Sequence, residues 1–108
     1  DSNVAVGYLA LEDLTSGTLN VAIGQQALRG SATITGNGNV SIGHQSSYDI
    51  TSGCTNIAVG FRAFFNGTTG SNNVALGASS LLDATTGILV LKGSVAGANG
   101  TLGKVRIA

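Results

Sequence analysis

The chain has 108 residues, a formal net charge of zero and a charged fraction of 9 %, far below the roughly 25 % of an ordinary soluble domain. That length allows one domain at most, and the balanced charge offers no electrostatic basis for a nucleic-acid or polybasic membrane partner. No run of about 18 apolar residues is present, so no transmembrane helix and no membrane insertion is expected. The chain opens at Asp1-Ser2, inside a repeat and without Met, and reads as a piece of a longer protein. The single Cys54 excludes an intrachain disulfide framework.

The first predicted element is "NVAVG", residues 3–7, and it recurs as "NVAIG", "NVSIG", "NIAVG" and "NVALG". Its asparagines are Asn3, Asn20, Asn39, Asn56 and Asn73, spaced 17, 19, 17 and 17. Each unit closes on a glycine: Gly17, Gly36, Gly53, Gly70 and Gly87. A catalytic motif is normally written once, whereas a stack of equivalent units writes its key residues once per unit. Val4 and Val6 alternate with Ala5, which is strand periodicity. Glycine and β-branched residues recurring every few positions argue against helix. Each unit therefore predicts a strand, a glycine, a second strand, a polar turn and a closing glycine. Two strands of about five residues fit within 17. The predicted fold is all-β, a parallel β-solenoid of five coils of 17–19 residues over 1–87.

Within a coil, the Val/Ile/Leu columns are expected to fill the interior, and the asparagines to form a ladder at a turn. The alternate column holds Ala5, Ala22, Ser41, Ala58 and Ala75, with nothing larger than Ala or Ser. Residues this small let another backbone approach closely, so this column is expected to form the contact between chains of an oligomer. Ala10, Ala27, Ser46, Ala63 and Ser80 are a second such column on the following strand. After them Leu11, Leu28, Ser47, Phe64 and Leu81 form a mainly apolar column, and Asp13, Gly30, Asp49, Asn66 and Asp83 a column of turn formers. The last segment, 88–108, lacks the motif; 88–91 and 105–107 read as strands of a β-structured cap or a junction to the next segment.

The stretches "SNVAVGYLAL", "LNVAIGQQAL", "GNVSIGHQSS", "TNIAVGFRAF" and "NNVALGASSL" resemble the head repeats of YadA-like trimeric autotransporter adhesins. Similar arrays occur in phage tail-fibre proteins. The resemblance implies a left-handed parallel β-roll, with three chains intertwined or side by side. It implies a structural and adhesive segment of an extracellular homotrimeric fibre, a phage tail fibre or receptor-binding protein mediating host attachment. The alternative is the head region of a bacterial surface adhesin. Units of 17–19 residues are longer than the adhesin family's usual spacing and fit the phage-type arrays better. No counterpart of the adhesins' neck and stalk is present.

Several residues invite sharper readings. Tyr8 and Phe61 share a variable, outward column with Gln25, His44 and Ala78, and Arg62 lies beside Phe61. Tyr8, Phe61 and Arg62 are the candidate contacts to a host receptor, possibly a glycan, with packing against a neighbouring chain as the plainer account. His44 could meet its copies on a threefold axis and hold a metal through three imidazoles, but a rim histidine is the simpler reading. Asp13 and Asp49 stand two coils apart, within the span of a glycosidase pair. Gly30 and Asn66 in the same column make turn chemistry the better account. Cys54 is read as a small buried residue. No GxxxxGK[ST] phosphate loop is present. The Thr/Ser pairs before each closing glycine raise ice binding as a rival, and a tailspike-like glycan hydrolase is another. The expectation is a protein that is not an enzyme and uses no cofactor.

Overall fold

The computed structural model describes residues 2–82 and the strand Leu89–Leu91. Its strands are β1 (Val4–Val6), β2 (Val21–Ile23), β3 (Val40–Ile42), β4 (Ile57–Val59), β5 (Val74–Leu76) and β6 (Leu89–Leu91). They form a single parallel sheet in chain order. Equivalent residues pair throughout: Ala22 with Ser41, Ser41 with Ala58, Ala58 with Ala75. One turn of chain joins each strand to the next, so the fold is a β-solenoid. The strand expected at 88–91 is present as β6, which pairs Val74 with Leu89. The strand at 105–107 and the cap lie outside the described residues, as do Asp83 and Gly87.

Each strand is only three residues long because a glycine turns the corner after it. Gly43 has φ +125°, and a Cβ there would stand 2.7 Å from the Gly60 carbonyl oxygen of the next coil. Only glycine tolerates that angle and that approach together.

Beyond the corner the second limb is not the strand that alternation predicts. Every second residue takes a left-handed backbone: Leu9 and Leu11, Gln26 and Leu28, Gln45 and Ser47, Arg62 and Phe64, Ser79 and Leu81, at φ 49–58°. None of these is β-branched, the type for which such angles are most strained. The limb is still tied to its neighbours. Gln26 N donates to Tyr8 O on one side (2.8 Å), and Leu28 N to Ser46 O on the other (2.9 Å).

The sidedness of the strand is the reverse of the expected one. Ala22, Ser41 and Ala58 have no exposed surface and Ala75 has 1 %, all within a single chain. Ala5 is exposed at the open end of the stack. The column expected between chains therefore lies inside the coil, and so does the second small column, with Ala27, Ser46, Ala63 and Ser80 buried. The branched residues expected inside point out. The physical reason is the thinness of the coil: a three-residue strand turns one side chain inward, and Leu28 or Phe64 from the facing limb already fills the gap. Only Ala or Ser fits opposite them.

The interior trades volume between neighbouring positions. In the third coil the small Ser47 stands three residues before the buried Ile50. In the fourth, the large Phe64 stands three before Gly67, where a Cβ would collide with the Phe64 ring. The third coil is also polar inside, and the Ser41 hydroxyl donates to Ser47 Oγ at 2.7 Å. Ser46 Oγ, by contrast, is buried with no partner among the described residues. An unpaired buried hydroxyl costs about 1–3 kcal/mol, and Ala occupies the same column at Ala27 and Ala63. Ser46→Ala is therefore expected to stabilise the chain by about 1 kcal/mol, read as a higher denaturant midpoint at constant slope.

Candidate functional site

The asparagine column is architectural. Asn39 Nδ2 donates to the carbonyl of Gly53, the closing glycine of its own coil (2.8 Å), and its Oδ1 accepts from Asn56 N on the next coil (3.0 Å). Asn20 does the same with Gly36 and Asn39, Asn56 with Gly70 and Asn73, and Asn3 with Gly17 and Asn20. Each amide thus closes one coil and docks the next. The extra two residues of the 19-residue unit fall between Asn20 and Gly36, so the amide geometry is kept.

Two surfaces remain for interaction. The first is the outer face of the sheet. Val4, Val6, Ile23, Ile42, Ile57 and Leu76 are each 37–55 % exposed, and Val21, Val40, Val59 and Val74 stand half-buried between them. The two columns contain no polar residue. Together they form a continuous aliphatic strip, the kind of exposed patch that marks an interaction surface.

The second surface runs along the left-handed limb, where side chains meet their counterparts one coil away. Arg29 Nε is 2.5 Å from Glu12 Oε2, and Arg29 Nη1 donates to the Tyr48 hydroxyl at 2.6 Å. The hydrogen bond to Glu12 holds the Arg29 guanidinium still more firmly protonated. The Tyr48 and Phe65 rings stack at 4.9 Å and 3°, and His44 and Phe61 at 5.4 Å and 15°. Arg62 Cζ lies 4.8 Å from the Phe65 centroid and 5.7 Å from that of Phe61. Its Nε donates to Gln45 Oε1 (2.8 Å), and Gln45 Nε2 to Gln26 Oε1 (2.8 Å).

Of the expected receptor contacts, Phe61 and Arg62 come together. Tyr8 is 68 % exposed but stands three coils away in the same column and joins no ring contact among the described residues. Sequence reasoning missed Arg29, Gln45, Tyr48 and Phe65. The signal was present, since Glu12 and Arg29, and likewise Tyr48 and Phe65, are one 17-residue period apart. The imidazole of His44 is engaged by Phe61, and no group of three His, Cys, Asp or Glu able to hold a metal occurs among the described residues. Cys54 is half-buried rather than buried, its Sγ accepting from Asn37 N and donating to Ser52 O. The Thr15 and Thr51 hydroxyls donate to the Ile34 and Thr68 carbonyls of the next coil.

Partial burial pushes the Asp49 carboxyl above its ordinary range. The folded chain then holds that proton more tightly than the unfolded chain, so folding is favoured while Asp49 is protonated. The advantage is lost as pH rises through the folded-state pKa. Asp49→Asn should leave stability unchanged below the carboxylate range and raise it slightly at neutral pH. Thermal melts of both proteins across that interval measure the difference.

The fold and these surfaces define a parallel β-solenoid built of sequence repeats. Comparison with protein-family models, with curated proteins and with solved structures finds no match.

Proposed function

We propose that this chain is a structural and adhesive segment of an extracellular homotrimeric fibre, of the kind that projects from a phage tail and attaches it to a host. The observation that carries the reading is the aliphatic face of the sheet. Ten Val, Ile and Leu residues in two unbroken columns stand outside the coil. Three such faces converging on one axis would give the slender coil the burial its interior cannot supply. The likeness of the motifs to YadA-like head repeats, with left-handed coils packed three abreast, supports the threefold number. The unit length of 17–19 residues favours the phage-type arrays over the bacterial adhesins.

The mechanism is mechanical and geometric. Stacked coils hydrogen-bonded along their whole length make a stiff rod, and threefold repetition of an outer site raises avidity. No acid–base pair or cofactor site is invoked, and the protein acts by display rather than catalysis. Light scattering after size exclusion tests the reading. The expected mass is three times the 10.6 kDa of one chain; a well-folded monomer would overturn the trimer.

A further inference from the structure

We propose that Phe61, Arg62, Ala78 and Ser79 form a binding ledge for a carboxylated sugar residue, an inference that deepens the attachment role above and rests on it. The ledge arises from a break in a column. Position by position the outer limb carries Tyr8, Gln25, His44, Phe61 and then Ala78. Ser79 N donates to Phe61 O at 2.7 Å, which sets Ala78 in register beside Phe61. One face of the Phe61 ring is taken by His44. On the side of the next coil the neighbouring side chain is only the Ala78 methyl, Arg62 Cζ lies over the ring at 5.7 Å, and Phe61 remains 52 % exposed. A half-exposed ring beside a shallow step suits the flat C–H face of a pyranose.

The charge beside the ring selects the sugar. Arg62 uses Nε on Gln45 and its guanidinium lies over the Phe65 ring at 4.8 Å; among the described residues it has no ion pair, the one salt bridge being Arg29–Glu12. Its two Nη groups have no partner among the described residues and are placed for a bidentate carboxylate. Arg62 Cζ is 5.7 Å from the Phe61 centroid, within the breadth of one sugar residue, so a ring on Phe61 can set its carboxylate on Arg62. The same elements, aromatic faces and arginine, also serve single-stranded nucleic acids. That partner needs a run of cations along its backbone, and here Arg29 is already neutralised by Glu12 in a chain of zero net charge.

Calorimetric titration of the assembled protein with oligogalacturonate, α2,8-linked oligosialic acid, neutral maltohexaose and a thymidine oligomer tests the proposal. At least one acidic oligosaccharide is expected to bind tenfold or more tightly than maltohexaose, consistent with a charge-assisted contact. Arg62→Gln and Phe61→Ala should each weaken that binding by about tenfold or more with the solution mass unchanged. Ala78→Tyr, which covers the exposed ring and removes nothing, should block it, and Tyr8→Ala should not affect it. Equal affinity for maltohexaose, binding to none of the sugars, or preference for the thymidine oligomer would each overturn the proposal. So would a fall in mass for Arg62→Gln or Phe61→Ala, because the patch would then be a contact between chains. A monomer that still binds the acidic sugar keeps the ledge and removes the trimer; a trimer that does not bind removes the ledge alone.

Discussion

Asn39→Ala is expected to lower the stability of the chain by about 3 kcal/mol or more, the sum of two buried backbone groups losing their partners. The side chain has no exposed surface. Its Nδ2 donates to Gly53 O (2.8 Å) and Asn20 Oδ1 (3.2 Å), and its Oδ1 accepts from Asn56 N (3.0 Å) and Asn56 Nδ2 (3.0 Å). Truncation removes the partners of the Gly53 carbonyl and the Asn56 N–H inside the stack. Asn39→Asp is the sharper comparison. It keeps an acceptor for Asn56 N, loses both donors and brings a buried charge, so it should be no better tolerated than Ala. Urea unfolding followed by circular dichroism reads both variants. A loss below about 1 kcal/mol for either would mean that the ladder follows the coil geometry rather than holding it.

Two lysine substitutions one coil apart should fail in different ways. Ile42→Lys puts a charge on the outer sheet face, at a residue 37 % exposed in the single chain. The chain should still fold, because the long side chain can reach water. If the proposed trimer forms through this face, assembly should be lost, because three ammonium groups would be driven into one apolar contact. The expected result is a folded chain at one third of the parent mass. Ala58→Lys meets a different environment. Ala58 has no exposed surface and belongs to the core with Ala63 and Phe64, so the substitution should unfold the chain outright. A trimer that survives Ile42→Lys would remove the sheet face as its interface. A folded Ala58→Lys monomer would return the small column to that role.

The repeat was legible from the sequence in detail. The asparagine spacing, the closing glycines, the parallel strands and their register all follow from one period, because each coil must satisfy the same backbone groups in the same way. The left-handed limb was legible in principle and passed over. β-Branched residues occur in every strand of the repeat, as in Val21–Ile23 and Ile57–Val59, but 8–13, 25–29, 44–49, 61–65 and 78–82 contain none. That contrast marks a backbone unsuited to Val, Ile or Thr. The aromatic–arginine cluster was also within reach, since its members stand one coil period apart. The period sets these residues in neighbouring coils, but whether the side chains touch depends on the directions the left-handed limb gives them.

The repeat alone specifies that this chain stacks in register, where it turns, and that an amide ladder seals it, since these are matters of local backbone chemistry recurring in every unit. Which side of each strand faces inward emerges only in the folded coil. Alternation makes two faces distinct but carries no sign. The sign came from the width of the coil: Leu28, Ile34, Ile50 and Phe64 fill it from the other sides, leaving room opposite for Ala22, Ser41, Ala58 and Ala75 alone. The larger Val and Ile side chains were thereby turned outward, onto the exposed face of the sheet.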